Sequence, residues 1–420
     1  MIREKISFFL FVAAAAFLAY WFGFATAHFG LPPRDLITSS YAELSDFKAH
    51  WRNDLGFEPT RFLVPAATQR PPGFTAVNPD AMAEGYRLVA GYLKDRPSLN
   101  GAALFDTGGS EVHFWPIDYA TLDPKGRDPR LVFLHGFEVF PDGSIVVNFD
   151  NGNVIARIAA CGDVMWTQQG DFHHAVTRSH DGTLWALEAD RLTQLDAGTG
   201  ARLRHVELRE NIIDPNGATG IFGMRYNDDE FNPGYMDDPF HPNDVEILSP
   251  EYAAAFADFE AGDIMISLRS LNLVAVIDGR DLRLKWYQHG PWHRQHDPDF
   301  MPDGTISVFD NNMHAKVSRI LRIDPATRRY EVAFEGSDAA PFYTGIRGKH
   351  ETLANGNILV TEPQGGRAFE VDAGGNLVWE YRNTFDDDRN LLINKAMVLP
   401  TGFFEAGAIR NCGDPQVAAK

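Results

Sequence analysis

Five segments of this 420-residue chain open on a histidine and run through a turn into a β-rich strand, and no other feature narrows the possible folds more. Three read His135-Gly-Phe-Glu-Val-Phe-Pro-Asp-Gly-Ser-Ile-Val-Val, His174-Ala-Val-Thr-Arg-Ser-His-Asp-Gly-Thr-Leu-Trp and His241-Pro-Asn-Asp-Val-Glu-Ile-Leu; two more begin at His296 and His350. The Asp-Gly and Asn-Gly pairs in them tolerate positive φ and so close tight hairpins. A second turn follows in each repeat and leads to an aromatic or aliphatic residue, as in Cys161 to Trp166, Asp278 to Trp286, Asp324 to Tyr330 and Asp372 to Trp379. Two hairpins per repeat make four strands, the unit of a β-propeller blade. Repeat starts fall roughly 40 to 65 residues apart, as such units do. The longer gaps hold insertions at Asn227 to Asp238 and Ser249 to Ala261.

Five blades are explicit, and the leftover pieces predict a sixth assembled from both ends of the chain. The run from Lys395 to Phe404 reads as an inner hairpin without its outer half, and Ala102 to Asp118 as an outer hairpin without its inner half. Joining them closes the ring and removes exposed strand edges. The expectation is therefore an all-β, six-bladed propeller over residues 98–420. Residues 29–97 are expected as a helical stalk, with helices over Ser40 to Asn53 and Pro79 to Lys94. Asn78 stands as a cap before Pro79, the proline sitting at the first helical position.

Ahead of the stalk, Arg3 and Lys5 precede an uncharged apolar run from Phe8 to about Ala27. That is long enough to cross a bilayer core of roughly 30 Å. Basic residues before the run and none just after it place the N-terminus in the cytoplasm and deliver the rest of the chain across the membrane. Residues 1–28 are read as a retained anchor. A cleaved signal peptide is the competing reading, because Ala25-Thr26-Ala27 fits the small-residue cleavage pattern. Export to the periplasm, or an equivalent extracytoplasmic space, follows from either.

A formal charge of −19 excludes nucleic acid as a natural partner, and it requires any anionic substrate to find a local basic pocket. Cys161 and Cys412 are the only cysteines, too few for a disulfide framework or a Cys-rich zinc site. In an oxidising compartment they can pair, and the sequence leaves that open.

The innermost strand of each propeller blade lines the channel, so the five repeat-opening histidines are expected to ring one mouth. Read singly, a histidine at a strand start can merely hydrogen-bond the neighbouring blade. Five together are hard to explain so, since no backbone requirement selects imidazole. Three neutral imidazoles can hold zinc with an open position, but matching positions on different blades spread around a channel instead of converging.

The stretch from His241 to Asn312 resembles the bacterial arylsulfotransferase family. It reads His-Pro-Asn-Asp-Val, then Asp263-Ile-Met-Ile-Ser-Leu-Arg269, Leu284-Lys-Trp-Tyr, Gln295-His296-Asp and Val308-Phe-Asp-Asn311. The resemblance implies a periplasmic six-bladed propeller that moves a sulfuryl group from an aryl sulfate ester to a phenolic acceptor, through a sulfated histidine and without a cofactor. Carried over by position, it implies catalytic roles for His174, His241, His296 and Arg269. The family's sulfated histidine belongs to the next blade, where this chain reads Gln364-Gly-Gly-Arg367; His350, the nearby imidazole, is the expected nucleophile. Lys349 and Arg367 are expected to keep it neutral and to bind substrate along with His135 and His314. The family's arginine after Phe-Asp-Asn has no match in Asn312-Met-His314-Ala-Lys316. A carbohydrate- or small-molecule-binding propeller without turnover is the alternative. A quinone-dependent dehydrogenase, which needs a calcium-type carboxylate site and a vicinal disulfide or comparable stacking platform, is a further one that the distant cysteines disfavour.

Overall fold

The computed structural model describes residues 2–66, 71–96, 98–223, 238–337, 341–409 and 412. It divides into two units, residues 1–61 and 62–420. In the first, helix α1 (Ile2–Phe29) is apolar on all sides and could cross a membrane by length and composition. After four residues, helix α2 (Arg34–Asp54) follows.

The second unit is a six-bladed propeller of four-stranded antiparallel sheets. Blades one to five start, innermost strand first, at Phe133–Val139, Phe172–Arg178, Pro242–Ile247, His296–Phe300 and Lys349–Thr352. The hairpin turns form as the sequence chemistry demands. Gly143, Gly182, Gly304 and Gly356 all take φ between 79 and 86°. In each turn the preceding Asp or Asn accepts the backbone N–H two residues on, from Ser144, Thr183, Thr305 and Asn357. The aromatic residues after the second turns peg neighbouring blades together. Trp115 donates to the Gly143 carbonyl, Trp166 to that of Ala197 and Trp286 to that of Pro325. The apolar clusters accordingly lie between blades, as where Leu104 and Trp115 meet Ile145 and Val147.

Blade six is closed by one strand from the C-terminal end, Ile393–Leu399, and three from the N-terminal side, Tyr86–Tyr92, Asn100–Phe105 and Glu111–Ile117. The sequence pattern suggests two from each. The missing strand is the segment expected as a helix over Pro79 to Lys94, which instead makes a single turn at Pro79–Ala81 and then the strand Tyr86–Tyr92. Leu88 to Tyr92 are buried on both faces, and a short apolar run buried on both sides carries no period that separates strand from helix. The expected stalk is thus partly ring: Leu63–Pro65 pairs with Arg389–Leu391, and Gly73–Ala76 adds a fifth strand to blade five. The insertion at Asn227 to Asp238 lies, up to residue 237, outside the described residues. The one at Ser249 to Ala261 holds a short helix, Pro250–Ala253, capped by Ser249.

Cys161, on the outer turn of blade one, forms a disulfide with Cys412. Along the way the tail packs Phe403, Phe404 and Ile409 against the core shared by blades six and one.

Candidate active site

At the channel mouth the inner strands are irregular. In blades one to four the register slips beside the opening histidine, between Leu134 and Phe137, His173 and Val176, Pro242 and Asp244, and His296 and Asp299. Such bulges re-aim side chains at the ends of strands. His174, His241 and Asp297 sit at φ of 52, 49 and 49°, a left-handed conformation costly for residues with a Cβ.

These distortions bring four of the five opening imidazoles together. The ring centroids of His135 and His174 are 4.0 Å apart and those of His174 and His241 5.0 Å. His296 lines a narrow pocket with His135, His174, Asn243, Arg347 and Lys349. The hydrogen-bond partners assign the tautomers. His173 donates from Nε2 to the Ala189 carbonyl at 3.0 Å, so its Nδ1 accepts from His174 Nδ1–H at 2.7 Å. His135 Nδ1 accepts the His174 backbone N–H at 3.2 Å, leaving the proton on Nε2. His241 Nδ1 is held by Asp238 in a short hydrogen bond.

His296 is fixed most firmly. The Asn311 side-chain N–H groups donate to the carbonyls of Thr344 at 2.8 Å and Arg347 at 2.7 Å, so its oxygen must face His296, accepting Nδ1–H at 2.6 Å. His296 Nε2 therefore carries a free lone pair. Burial is the largest cause that lowers its pKa, to about 3, with Arg269 and Lys349 adding repulsion and the Asn311 bond opposing. Burial likewise holds His135 and His174 well below the ordinary imidazole value.

Cationic groups surround these neutral rings. Arg269 is half-buried and its Nε has no partner among the described residues. Burial first, then the repulsion of Arg294, lowers its pKa, while Asp238 opposes and Arg347 adds to the shift. Arg347 reaches Asp150 at 2.6 Å and stacks over the Phe133 ring at 4.8 Å. Beside His174 and His241 opens a cleft of about 440 Å³, lined by Arg127, Asn151, Asn153, His173 and the carboxylates of Asp150, Asp171, Asp190 and Asp238.

Deeper in the channel the lining turns mainly to carboxyl groups. Glu138, Asp244, Glu246, Asp297 and Asp299 face a small cavity with Lys349 and Lys395. Burial raises the pKa of Asp244 to about 7 and that of Glu246 to about 8. Asp297 goes the other way, held ionised against its burial by Lys349 at 3.0 Å and by His350. Among the described residues, donor atoms converge as a cation would require only at Asp297, Asp299 and His350; the mouth imidazoles do not.

His350 does not join the ring at the mouth. Its side chain is fully buried, its Nδ1 donating to Asp297 at 3.2 Å and its Nε2 accepting from the Ser307 hydroxyl at 2.8 Å. Arg367 lies inside blade five, paired with Glu362 at 2.7 Å and stacked on Phe369 at 3.9 Å. His314 is exposed and meets the ring of His293. Lys349 does reach the site. Arg294 and Arg347 carry no motif that marks them in the sequence, although Arg347 stands two residues before Lys349; Asn311, Asp244 and Asp297 lie within the motifs quoted above, which give them no role.

The arylsulfotransferase (ASST) family model matches residues 171–384. The chain belongs to the arylsulfotransferase family. No curated protein sequence matches it. Among solved structures it is similar to a Bacteroides caccae protein of unknown function, at 12% identity and TM-score 0.47 over 74% of this chain and 98% of that one. It is similar also to virginiamycin B lyase from Staphylococcus aureus, at 14% identity and TM-score 0.38 over 60 and 71%. These likenesses are too loose to speak to chemistry.

Proposed function

We propose that this protein transfers a sulfuryl group from an aryl sulfate ester to a phenolic or other hydroxyl acceptor, with His296 Nε2 as the nucleophile. The observation that carries the assignment is the Asn311 clamp, which leaves the Nε2 lone pair free while burial keeps the ring neutral. A neutral, oriented imidazole is a competent nucleophile. In the first step Nε2 attacks sulfur, the S–O bond to the aryl group breaks, and the phenolate leaves with the bonding pair. It takes a proton from a mouth imidazolium, a role for which His241 is suited because the Asp238 carboxylate at its Nδ1 offsets the positive charge and leaves Nε2–H to donate. The sulfuryl oxygens stay anionic throughout, and Arg269, Arg294 and Arg347 offset their charge. In the second step the acceptor oxygen attacks sulfur and gives up its proton to the same imidazole, so the proton balance closes without a cofactor.

Asn311 serves both steps. An amide oxygen cannot take the Nδ1 proton, so the sulfated ring remains an imidazolium and a good leaving group. Family membership supports this reading over a binding propeller without turnover. Export fits the apolar α1, read as a membrane anchor, and the Cys161–Cys412 disulfide, which persists in oxidising compartments. The test is incubation with an aryl sulfate lacking an acceptor, followed by intact-mass and peptide mapping. A sulfuryl adduct on His296 is expected; an adduct on His174 or His350, or none, overturns the assignment.

A further inference from the structure

Helix α2 carries an apolar face that its own unit leaves open. Leu36, Ile37, Tyr41, Leu44, Phe47 and Trp51 are 44 to 73% exposed. At 3.6 residues per turn they fall on an arc roughly 140° wide. Among the described residues, the chain returning after α2 touches this face only at its end, where Phe57 meets Trp51 with ring centroids 6.0 Å apart. Arg61 bonds Asp46 at 2.9 Å and Asp54 at 2.6 Å, on the acidic side of the helix. The unit has thus tied down a polar face and left most of the apolar one bare.

What covers it follows from position and charge. Only Gly30, Leu31, Pro32 and Pro33 separate α2 from the end of the apolar α1, and four residues span at most ~14 Å. If α1 crosses a bilayer, α2 starts within the headgroup layer. Arg34, Lys48 and Arg52 border one edge of the apolar arc, where their heads reach lipid phosphates while their stems lie on the acyl boundary. Tyr41 and Trp51 are the residue types that favour that depth. We infer that α2 lies flat on the outer surface of the membrane, its apolar face in the headgroup–acyl boundary of anionic lipid. The inference rests on α1 being a retained anchor.

The chain has no free cysteine among its described residues, so a single introduced cysteine can carry a spin label in the full-length protein. The labels go into vesicles of phosphatidylcholine and phosphatidylglycerol, at Ile37→Cys, Leu44→Cys and Trp51→Cys and on the opposite face at Thr38→Cys, Ser45→Cys and Ala49→Cys. Collision with oxygen relative to a water-soluble nickel chelate is expected to be several-fold higher for the first three. Equal access of the chelate to all six overturns the inference. So does exclusion of both reagents at positions 37, 44 and 51, which would mean a protein surface, such as a second copy, covers the face. A label at Phe17→Cys reports on the anchor separately. If it collides with the chelate, α1 does not span and the inference falls with it; if it sits in lipid while α2 does not, the anchor stands and only the inference fails.

Discussion

Blades four and five make the most informative comparison in the molecule, because each begins with a histidine and only one histidine reaches the mouth. His296 stands opposite Phe309, and Lys349 opposite Thr361. Phe309 and Thr361 are each the fourth residue of their strand, Ile306–Asp310 and Ile358–Glu362. The counterpart of His296 is therefore Lys349, and His350 falls one residue deeper. Blade four has a bulge after its histidine, whereas the pairing of blade five runs without a break. A one-residue offset in a strand sends a side chain to the opposite face, and here it takes the imidazole of His350 away from the mouth and buries it against Asp297 and Ser307. One rung deeper the two blades agree again. Asp299 and Glu351 stand opposite the second residues of those strands, Ser307 and Leu359, and burial raises the pKa of both.

The comparison breaks most sharply under substitution of the two histidines. His296→Ala is expected to abolish the sulfuryl adduct in single-turnover mass analysis, while His350→Ala still forms it. An adduct lost in His350→Ala with the fold intact would reverse the assignment of the two blades. The second effect is on the charge that only the blade-four imidazole faces. Arg269→Met should slow adduct formation by roughly 10²–10³, the scale for one transition-state donor, which stopped-flow release of the phenolate will read.

Asn311→Asp sharpens the comparison by changing what orients His296. A carboxylate against Nδ1 raises the ring's pKa from about 3, so adduct formation should gain an ascending limb with pH. The unaltered protein should show no such limb from His296 between pH 5 and 8, as the pH dependence of the phenolate burst will show. The smallest expected effect is on stability. Glu351 has its folded pKa raised to about 7, chiefly by burial, so the folded state binds more protons than the unfolded one between about pH 4.5 and 7, and stability falls as pH rises through that window. Glu351→Gln should melt roughly 2–4 °C above the parent at pH 8, a gap that closes by pH 5. A gap that widens toward acid would refute the burial of that carboxylate.

The ring was readable because its signals are local. Asp-Gly turns, evenly spaced histidines and aromatic pegs each act over a few residues, and the two ends of blade six were recognisable from their incompleteness. The closing strand at Tyr86–Tyr92 was not, since burial on both faces erases the alternation that marks a strand. The site was half-readable. His135, His174, His241, His296, Arg269 and Lys349 are there. A bulge leaves no mark in composition, so the offset that removes His350 could not be seen. Asn311 stands in a quoted motif, but its role could not be read there, for it depends on two carbonyls from the loop before blade five.

The bridge between Cys161 and Cys412 encloses the chain from the outer turn of blade one to the tail. A protease cutting once anywhere between them would leave one covalent molecule, its two fragments still tied together, with blades two, three and four held entirely within the loop. Such a nick would show only on a reducing gel. For a protein read as standing outside the cell's chaperones, the clasp makes a single scission a survivable injury.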